Sequence, residues 1–243
     1  MFPHCSFADV LITDPPYRAH VHKNATSQST ARGARHRDLG FEHLSEELRS
    51  YVARCAAETR RWSVIFSDVE SVGEWKAALE KNGATYVRAI PWVRWSMPQL
   101  SGDRPPQGAE MVIVAHGREG GRKHWNGPGN LTHFANKCLR GEEKHKAEKP
   151  LDLMLDLVSW FSDAGETVYD PLMGSGTTGV ASAILGRSFC GVEIDRVWEE
   201  RAKDRILSVP EFAWPRDAER HRRWVEDGAG KRVLKMHQGA KAW

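Results

Sequence analysis

Cysteine is scarce in this chain of 243 residues: Cys5, Cys55, Cys138 and Cys190 lie far apart with no CxxC pair among them. That spacing argues against a disulfide framework and a zinc knuckle, and it reads as four reduced, mostly structural thiols with no metal site. No apolar run approaches the ~18 residues that cross a bilayer. The start, Met1-Phe2-Pro3-His4-Cys5, lacks the basic-then-apolar layout of a signal peptide, so a cytosolic chain is expected. A dominant charge sign is missing as well. Lys+Arg 35 stand against Asp+Glu 32, a net charge of +3, which neither demands nor forbids a polyanionic partner, so the placement of charge must decide. Tyrosine is sparse at 4, whereas Trp reaches 10, and tryptophan either fills a core or offers a flat surface for stacked bases. What is present, 40% hydrophobic and 28% charged residues, suits one large domain with an ample core.

Val10-Leu11-Ile12-Thr13 is a β-branched and aliphatic run that stops at Asp14-Pro15-Pro16, and two prolines continue neither a ladder nor a helix. A strand therefore delivers its C-terminal end to a rigid loop. From Arg18 to Gly40 apolar residues almost vanish, while Arg18, Lys23, Arg32, Arg35 and Arg37 outnumber Asp38, a long basic loop. Ser45, with Glu46 and Glu47 after it, reads as the N-cap of a helix carrying Leu48, Tyr51, Val52 and Cys55. Trp62 to Ser67 reads as a buried strand, and Val72, Trp75 and Leu79 mark a helix stopped by Asn82-Gly83. Tyr86 to Val93 and Met111 to Ala115 predict two strands separated by a turn-rich stretch from Ser96 to Gly108.

Between His116 and Lys149 periodicity disappears and Arg118, Arg122, Lys123, Lys137, Arg140 and Lys144 mix with glycines and asparagines, which suits an inserted recognition segment. Leu151, Met154, Leu155, Val158 and Phe161 keep helical spacing. After them the pattern predicts a strand (Thr167 to Tyr169), a helix (Thr177 to Leu185), a strand (Ser188 to Ile194) and a helix (Val197 to Leu207). Strands alternating with helices predict a parallel, doubly wound sheet. The tail from Pro215 is basic and weakly periodic.

Two motifs carry chemistry. Asp170-Pro171-Leu172-Met173-Gly174-Ser175-Gly176-Thr177 lies between a strand and a helix, and Gly174 to Gly179 fit G-x-G-x-x-G in the context that motif requires. Glycines permit a tight turn and let a ligand touch the main chain at a helix N-terminus. Glu193, near the end of the next strand, is placed to accept from a ribose. An NAD site fits this loop nearly as well as another nucleoside cofactor, and a plain packing turn is the bland alternative.

Asp14-Pro15-Pro16-Tyr17 is more specific. An exocyclic amine has its lone pair delocalised into the base, so methylating it needs acceptors that favour the pyramidal, nucleophilic nitrogen. Asp14 offers a carboxylate, the turn can aim the Pro15 carbonyl at the second N–H, and Tyr17 offers a ring for an extruded base. The bland alternative is a proline turn with a buried tyrosine.

Together the motifs resemble those of the S-adenosylmethionine-dependent DNA amino-methyltransferases, which act on adenine N6 or cytosine N4. Asp14 to Tyr17 is similar to the family's catalytic motif, Asp170 to Thr178 to its cofactor motif, and Glu193 to its ribose-binding acid. His145, Lys149 and Pro150 are similar to the motif lining the methionine side of the cofactor pocket. Because the catalytic motif comes first, the resemblance is to the permuted, beta-type order. It implies a doubly wound, mostly parallel Rossmann-like α/β sheet with one antiparallel strand. Residues 1–115 would form the catalytic half, 116–149 a short target-recognition segment, 150–208 the cofactor half and 209–243 a basic tail.

The implied function is an enzyme that methylates adenine N6 of DNA in the cytosol of a bacterium or a phage host, since an Asp rather than a Ser opens the catalytic motif. N4-cytosine methylation and a catalytically silent nucleic-acid-binding subunit are the alternatives, and the family often forms homodimers. Arg18, Lys23, Arg32, Arg35, Arg37, Arg94, Arg122 and Lys123 are the expected DNA-binding residues. Three departures stand out. Leu172 replaces the usual Phe; only Met1 to Ala8 precede the catalytic strand, so Arg232 to Met236 are expected to supply a missing strand; and the recognition segment is short, which predicts a short or degenerate target.

Overall fold

The computed structural model describes residues 8–17, 44–94, 99–101, 104–118, 124–136, 148–209, 220–226 and 232–238. Seven strands form one sheet in the order β7-β3-β6-β2-β1-β8-β9. They are β1 (Val10–Thr13), β2 (Trp62–Ser67), β3 (Thr85–Arg94), β6 (Ala109–His116), β7 (Phe134–Asn136), β8 (Thr167–Asp170) and β9 (Ser188–Gly191). β1 runs parallel to β2 and β8, β8 to β9, and β3 to β7, while β6 is antiparallel to both β2 and β3. The expected mostly parallel sheet with one antiparallel strand is thus observed.

Strand periodicity explains the layers. Val10 and Ile12 join Val64, Phe66, Val112 and Val114 in one core layer, whereas Leu11, Ile65, Ile113 and Ala115 join the other, because successive side chains point to opposite faces. The first layer is closed by α3 (Leu151–Phe161), α4 (Thr177–Leu185) and α5 (Arg196–Leu207), and the second by α1 (Glu46–Ala57) and α2 (Val72–Lys81). Helices on both faces fully cover the centre, so β1 and β2 read as continuous apolar runs rather than as alternating ones. Local signals set the helix ends. Ser45 accepts from the Leu48 amide at the start of α1, and Gly83, at φ 91°, follows the Asn82 cap of α2. Cys55 and Cys190 are buried thiols in no disulfide, and burial pushes the Cys55 thiol up to about 11.

Four expectations need correction. The turn-rich stretch contains a small ribbon, β4 (Gln99–Ser101) with β5 (Arg104–Gln107); Pro105 and Pro106 are accommodated because each strand of a two-stranded ribbon keeps an unpaired edge. The aperiodic segment after His116 supplies β7 to the main sheet. Its Phe134 is buried and stacks on Trp160 at 5.5 Å. β9 ends at Gly191, three residues before the expected Ile194, because Glu193 folds back onto the Ile194 and Asp195 amides and Asp195 caps α5. In the tail, β10 (Arg220–Glu226) and β11 (Arg232–Gln238) pair antiparallel as their own sheet. β11 runs beside β9, but its ladder is with β10, so the expected strand forms without joining the main sheet. Among the described residues, no helix is long and apolar enough to cross a membrane.

Candidate active site

The two motifs meet because their strands are neighbours. β1 and β8 pair in parallel, so the Asp-Pro-Pro-Tyr loop and the glycine loop leave the same, C-terminal edge of the sheet, where open α/β sheets build their sites. Thr13, the last residue of β1, donates to Asp170 Oδ1 at 2.8 Å. The Asp170 carboxylate is otherwise filled by the Leu172 amide at 3.1 Å and the Thr178 hydroxyl at 2.7 Å. Burial, with the charge of Asp14 added, pushes its carboxyl up to about 6 despite these donors.

Asp14 differs. Its Oδ2 accepts from Lys149 Nζ at 2.7 Å, while its Oδ1 is buried and, among the described residues, without a hydrogen-bond partner. Burial raises the carboxyl above its ordinary value, Lys149 pulls it down, and the nearby Glu110 raises it further. Lys149 Nζ also donates to the Tyr17 hydroxyl at 3.3 Å and lies 3.3 Å from Glu110 Oε2. Tyr17 in turn donates to Glu110 Oε2 at 2.5 Å. Burial alone would lower the Lys149 ammonium, but the two carboxylates hold it above its ordinary value. Pro15 is buried behind the cluster and Pro16 half-buried.

The glycine loop has one open face. Gly174, at φ 49°, would meet nothing within 4 Å if it carried a Cβ. By contrast, a Cβ on Gly176 (φ 80°) would sit 2.7 Å from that of Ala202, and one on Gly179 2.3 Å from Ile206 Cδ1. Two glycines therefore let α4 pack on α5, and the third leaves backbone uncovered at the start of α4. Glu193 Oε2 accepts from the Gly174 amide at 3.0 Å, so the acid sits at the rim of that opening, in the loop after β9. Pro171 and Met173 are buried, Leu172 packs against the second core layer, and Ser175 and Thr177 are buried beside them.

The segment before α3 ties the two loops together. Lys149 reaches the catalytic loop, while Glu148 accepts from Thr177 Oγ1 at 3.2 Å and from Arg205 at 2.6 Å; Arg205 also donates to the Ser175 carbonyl at 2.7 Å. Pro150 caps α3. Lys149 was expected on the cofactor side; its observed partners are Asp14, Tyr17 and Glu110. Sequence reasoning did not single out Glu110, Glu148 or Arg205. The one local signal was the position of Glu110 at the head of a predicted strand. His145, Arg18, Lys23, Arg32, Arg35, Arg37, Arg122 and Lys123 lie outside the described residues, as does the side chain of Arg94. Trp92 is a core residue, edge-on to Phe66 at 6.0 Å. Among the described residues, no group of three His, Cys, Asp or Glu is placed to hold a metal ion.

Known proteins resemble this chain in sequence and fold. The chain is 26% identical to the type II methyltransferase M2.DpnII of Streptococcus pneumoniae over 226 residues, 82% of each chain. It is 23% identical to M2.MboI of Moraxella bovis, covering 83% of this chain and 81% of that one. Among solved structures, the M1.HpyAVI–SAM complex superposes with a TM-score of 0.61 at 28% identity, over 82% of this chain and 89% of that one. TTHA0409 of Thermus thermophilus, solved with S-adenosyl-L-methionine, shares the fold at a TM-score of 0.57 and 22% identity, over 88% and 92%. The family model described as DNA methylase matches residues 8–204, and the chain accordingly belongs to the N6/N4 DNA methylase family.

Proposed function

We propose that this chain transfers a methyl group from S-adenosylmethionine to the N6 amine of an adenine extruded from DNA. The observation that carries the reading is Asp14 Oδ1, a buried carboxylate oxygen with no partner among the described residues, one strand away from a glycine loop with uncovered backbone. A buried acceptor left unmatched is costly unless something else engages it, and an exocyclic N–H would do so.

The residues suit the cofactor. The opening at Gly174, the first-turn amides of α4 and the acid Glu193 match a ligand that carries a ribose and a carboxylate. Asp170, Pro171, Leu172, Met173, Gly174, Ser175, Gly176, Thr177 and Glu193 would hold it, with His145 and Pro150 on its methionine side. That the related M1.HpyAVI was solved with SAM supports the choice. When bound, the cofactor supplies an electrophilic methyl group.

The chain's own work is to make the amine a nucleophile. Asp14 Oδ1 accepts one N–H and the Pro15 carbonyl the other. Both acceptors stabilise the pyramidal nitrogen more than the planar one, so they favour the transition state over bound substrate. Tyr17 offers its ring to the flipped base. The motif order, catalytic before cofactor, is the permuted one, and β1 beside β8 allows it without altering the site. Asp at position 14 supports adenine over cytosine.

Mass spectrometry of nucleosides after incubation with unmethylated DNA and cofactor tests the reading. N6-methyladenine is expected, and Asp14→Ala should abolish it while still binding cofactor. N4-methylcytosine would transfer the reading to the other base, and neither product would overturn it.

A further inference from the structure

Glu110 has no part in the reaction as derived so far, yet it is buried at the reacting end of the sheet. It belongs to β6, which is separated from β1 by β2. Its Oε2 takes the Tyr17 hydroxyl at 2.5 Å and faces Lys149 Nζ at 3.3 Å. One ammonium is thus shared between two carboxylates, inside rings of Phe66, Tyr17 and Trp92 whose centroids lie 4.9, 5.3 and 5.8 Å from it. Packing does not require an acid there; a glutamine would accept the tyrosine hydroxyl equally well. What only a glutamate supplies is the charge.

That charge matters for two reasons. An ammonium paired with Asp14 alone would be free to bind both carboxylate oxygens, and Oδ1 would no longer be open to an incoming N–H. As a methyl group arrives, the amine nitrogen also becomes cationic, and Lys149 is a like charge beside it. Asp14 and Lys149 alone cancel, whereas Asp14, Lys149 and Glu110 together leave one negative charge to meet the developing positive one.

We propose that Glu110 is a positioning residue for methyl transfer, acting through Lys149 and the Tyr17 hydroxyl to keep Asp14 Oδ1 open and the site net negative. The proposal rests on the methyltransferase reading above. Lys149 is the shuttle: it leans on Asp14 in the free protein and moves toward Glu110 as the target amine engages Asp14. Tyr17, held by its hydroxyl, keeps its ring at a fixed angle for stacking.

Among the described residues, the charged and titratable groups facing Asp14 are Lys149, Glu110, Tyr17 and Asp170. Glu110 raises the Asp14 carboxyl and Lys149 lowers it, so removing each should move Asp14 in opposite directions. The test titrates Asp14 by carbon-13 NMR of labelled carboxyls in the cofactor-free chain, and measures kcat, its pH profile and cofactor Kd. In Glu110→Gln the Asp14 midpoint and the acid limb of kcat should shift to lower pH, and kcat should fall about 10- to 100-fold with cofactor Kd unchanged. Lys149→Met should shift both to higher pH, and Glu110→Asp should restore part of kcat. Unmoved titrations in both variants would overturn the proposal, as would a Glu110→Gln enzyme with wild-type kcat. A wild-type chain that methylates no DNA while its titrations shift as stated would instead overturn the methyltransferase reading and leave the charge cluster standing.

Discussion

Asp14 follows β1 and Asp170 ends the neighbouring β8, and their surroundings divide the labour between them. Asp170 has both oxygens satisfied by Thr13, Leu172 and Thr178, so it locks the glycine loop to β1 and serves the cofactor by holding that loop in place. Its carboxyl, pushed up to about 6 chiefly by burial, makes that lock dependent on pH. The unfolded chain ionises near the ordinary value of 3.8 while the folded chain holds its proton until about 6. Between those values the folded state binds more protons than the unfolded one, so stability falls as pH rises through the window and levels off above it. Asp170→Asn removes this dependence. Compared with the wild type, the variant should gain about 1–3 kcal/mol between the low and the high side of the window. Urea unfolding below about pH 4 and above about pH 6 measures it, and a difference that does not change with pH would show that Asp170 keeps an ordinary carboxyl.

At the scale of elements, the three glycines of the loop before and within α4 do different work. Gly179→Ala would drive a methyl into Ile206 and Phe189, an overpacking that typically costs about 1–3 kcal/mol, and should lower the urea midpoint. Gly174→Ala meets only open space; beyond the roughly 1–2 kcal/mol of left-handed backbone it should leave the fold intact and instead weaken cofactor binding, read by calorimetry. Equal effects of both substitutions on cofactor binding would refute the division. These elements were legible because their signals are local. The Asp-Pro-Pro stop after β1, the Ser45 cap, the Asn82-Gly83 stop and the strand–glycine–helix order each lie within a few residues. What escaped was non-local. β7 is three residues long and becomes a strand only because the edge of β3 is there to pair with. Glu110 lies 93 residues from the Tyr17 it binds, and Arg205 lies 57 from Glu148. No spacing rule marks such partners. Glu193 binds the Gly174 amide, but the predicted strand from Ser188 to Ile194 is too long, because Val192-Glu193-Ile194 continues an alternating pattern that the chain breaks with side-chain-to-backbone hydrogen bonds.

For the whole molecule, a net charge of +3 conceals a strong segregation. Residues 18–40 carry five Lys/Arg against one acid, residues 116–149 eight against four, and residues 215–243 eight against four. Together these exceed the total, so the remaining sheet-and-helix body is net acidic. Under the methyltransferase reading, an acidic body disfavours contact with a polyanion except through the basic segments. The segment after Asp-Pro-Pro-Tyr follows the catalytic motif directly in sequence, and under the methyltransferase reading we propose that its arginines grip phosphates flanking an extruded base. Each phosphate neutralised releases counterions and contributes about −0.9 to the slope of log K against log salt. Replacing Arg32, Arg35 and Arg37 together by alanine should therefore flatten that slope by up to about 3 and weaken binding on all sequences alike, while cofactor affinity in the absence of DNA stays the same. Fluorescence anisotropy of a labelled duplex over a salt series gives the slope directly. An unchanged slope would leave these arginines in solvent and transfer the phosphate contacts to the 116–149 segment or the tail, whose basic residues would then have to account for the whole dependence.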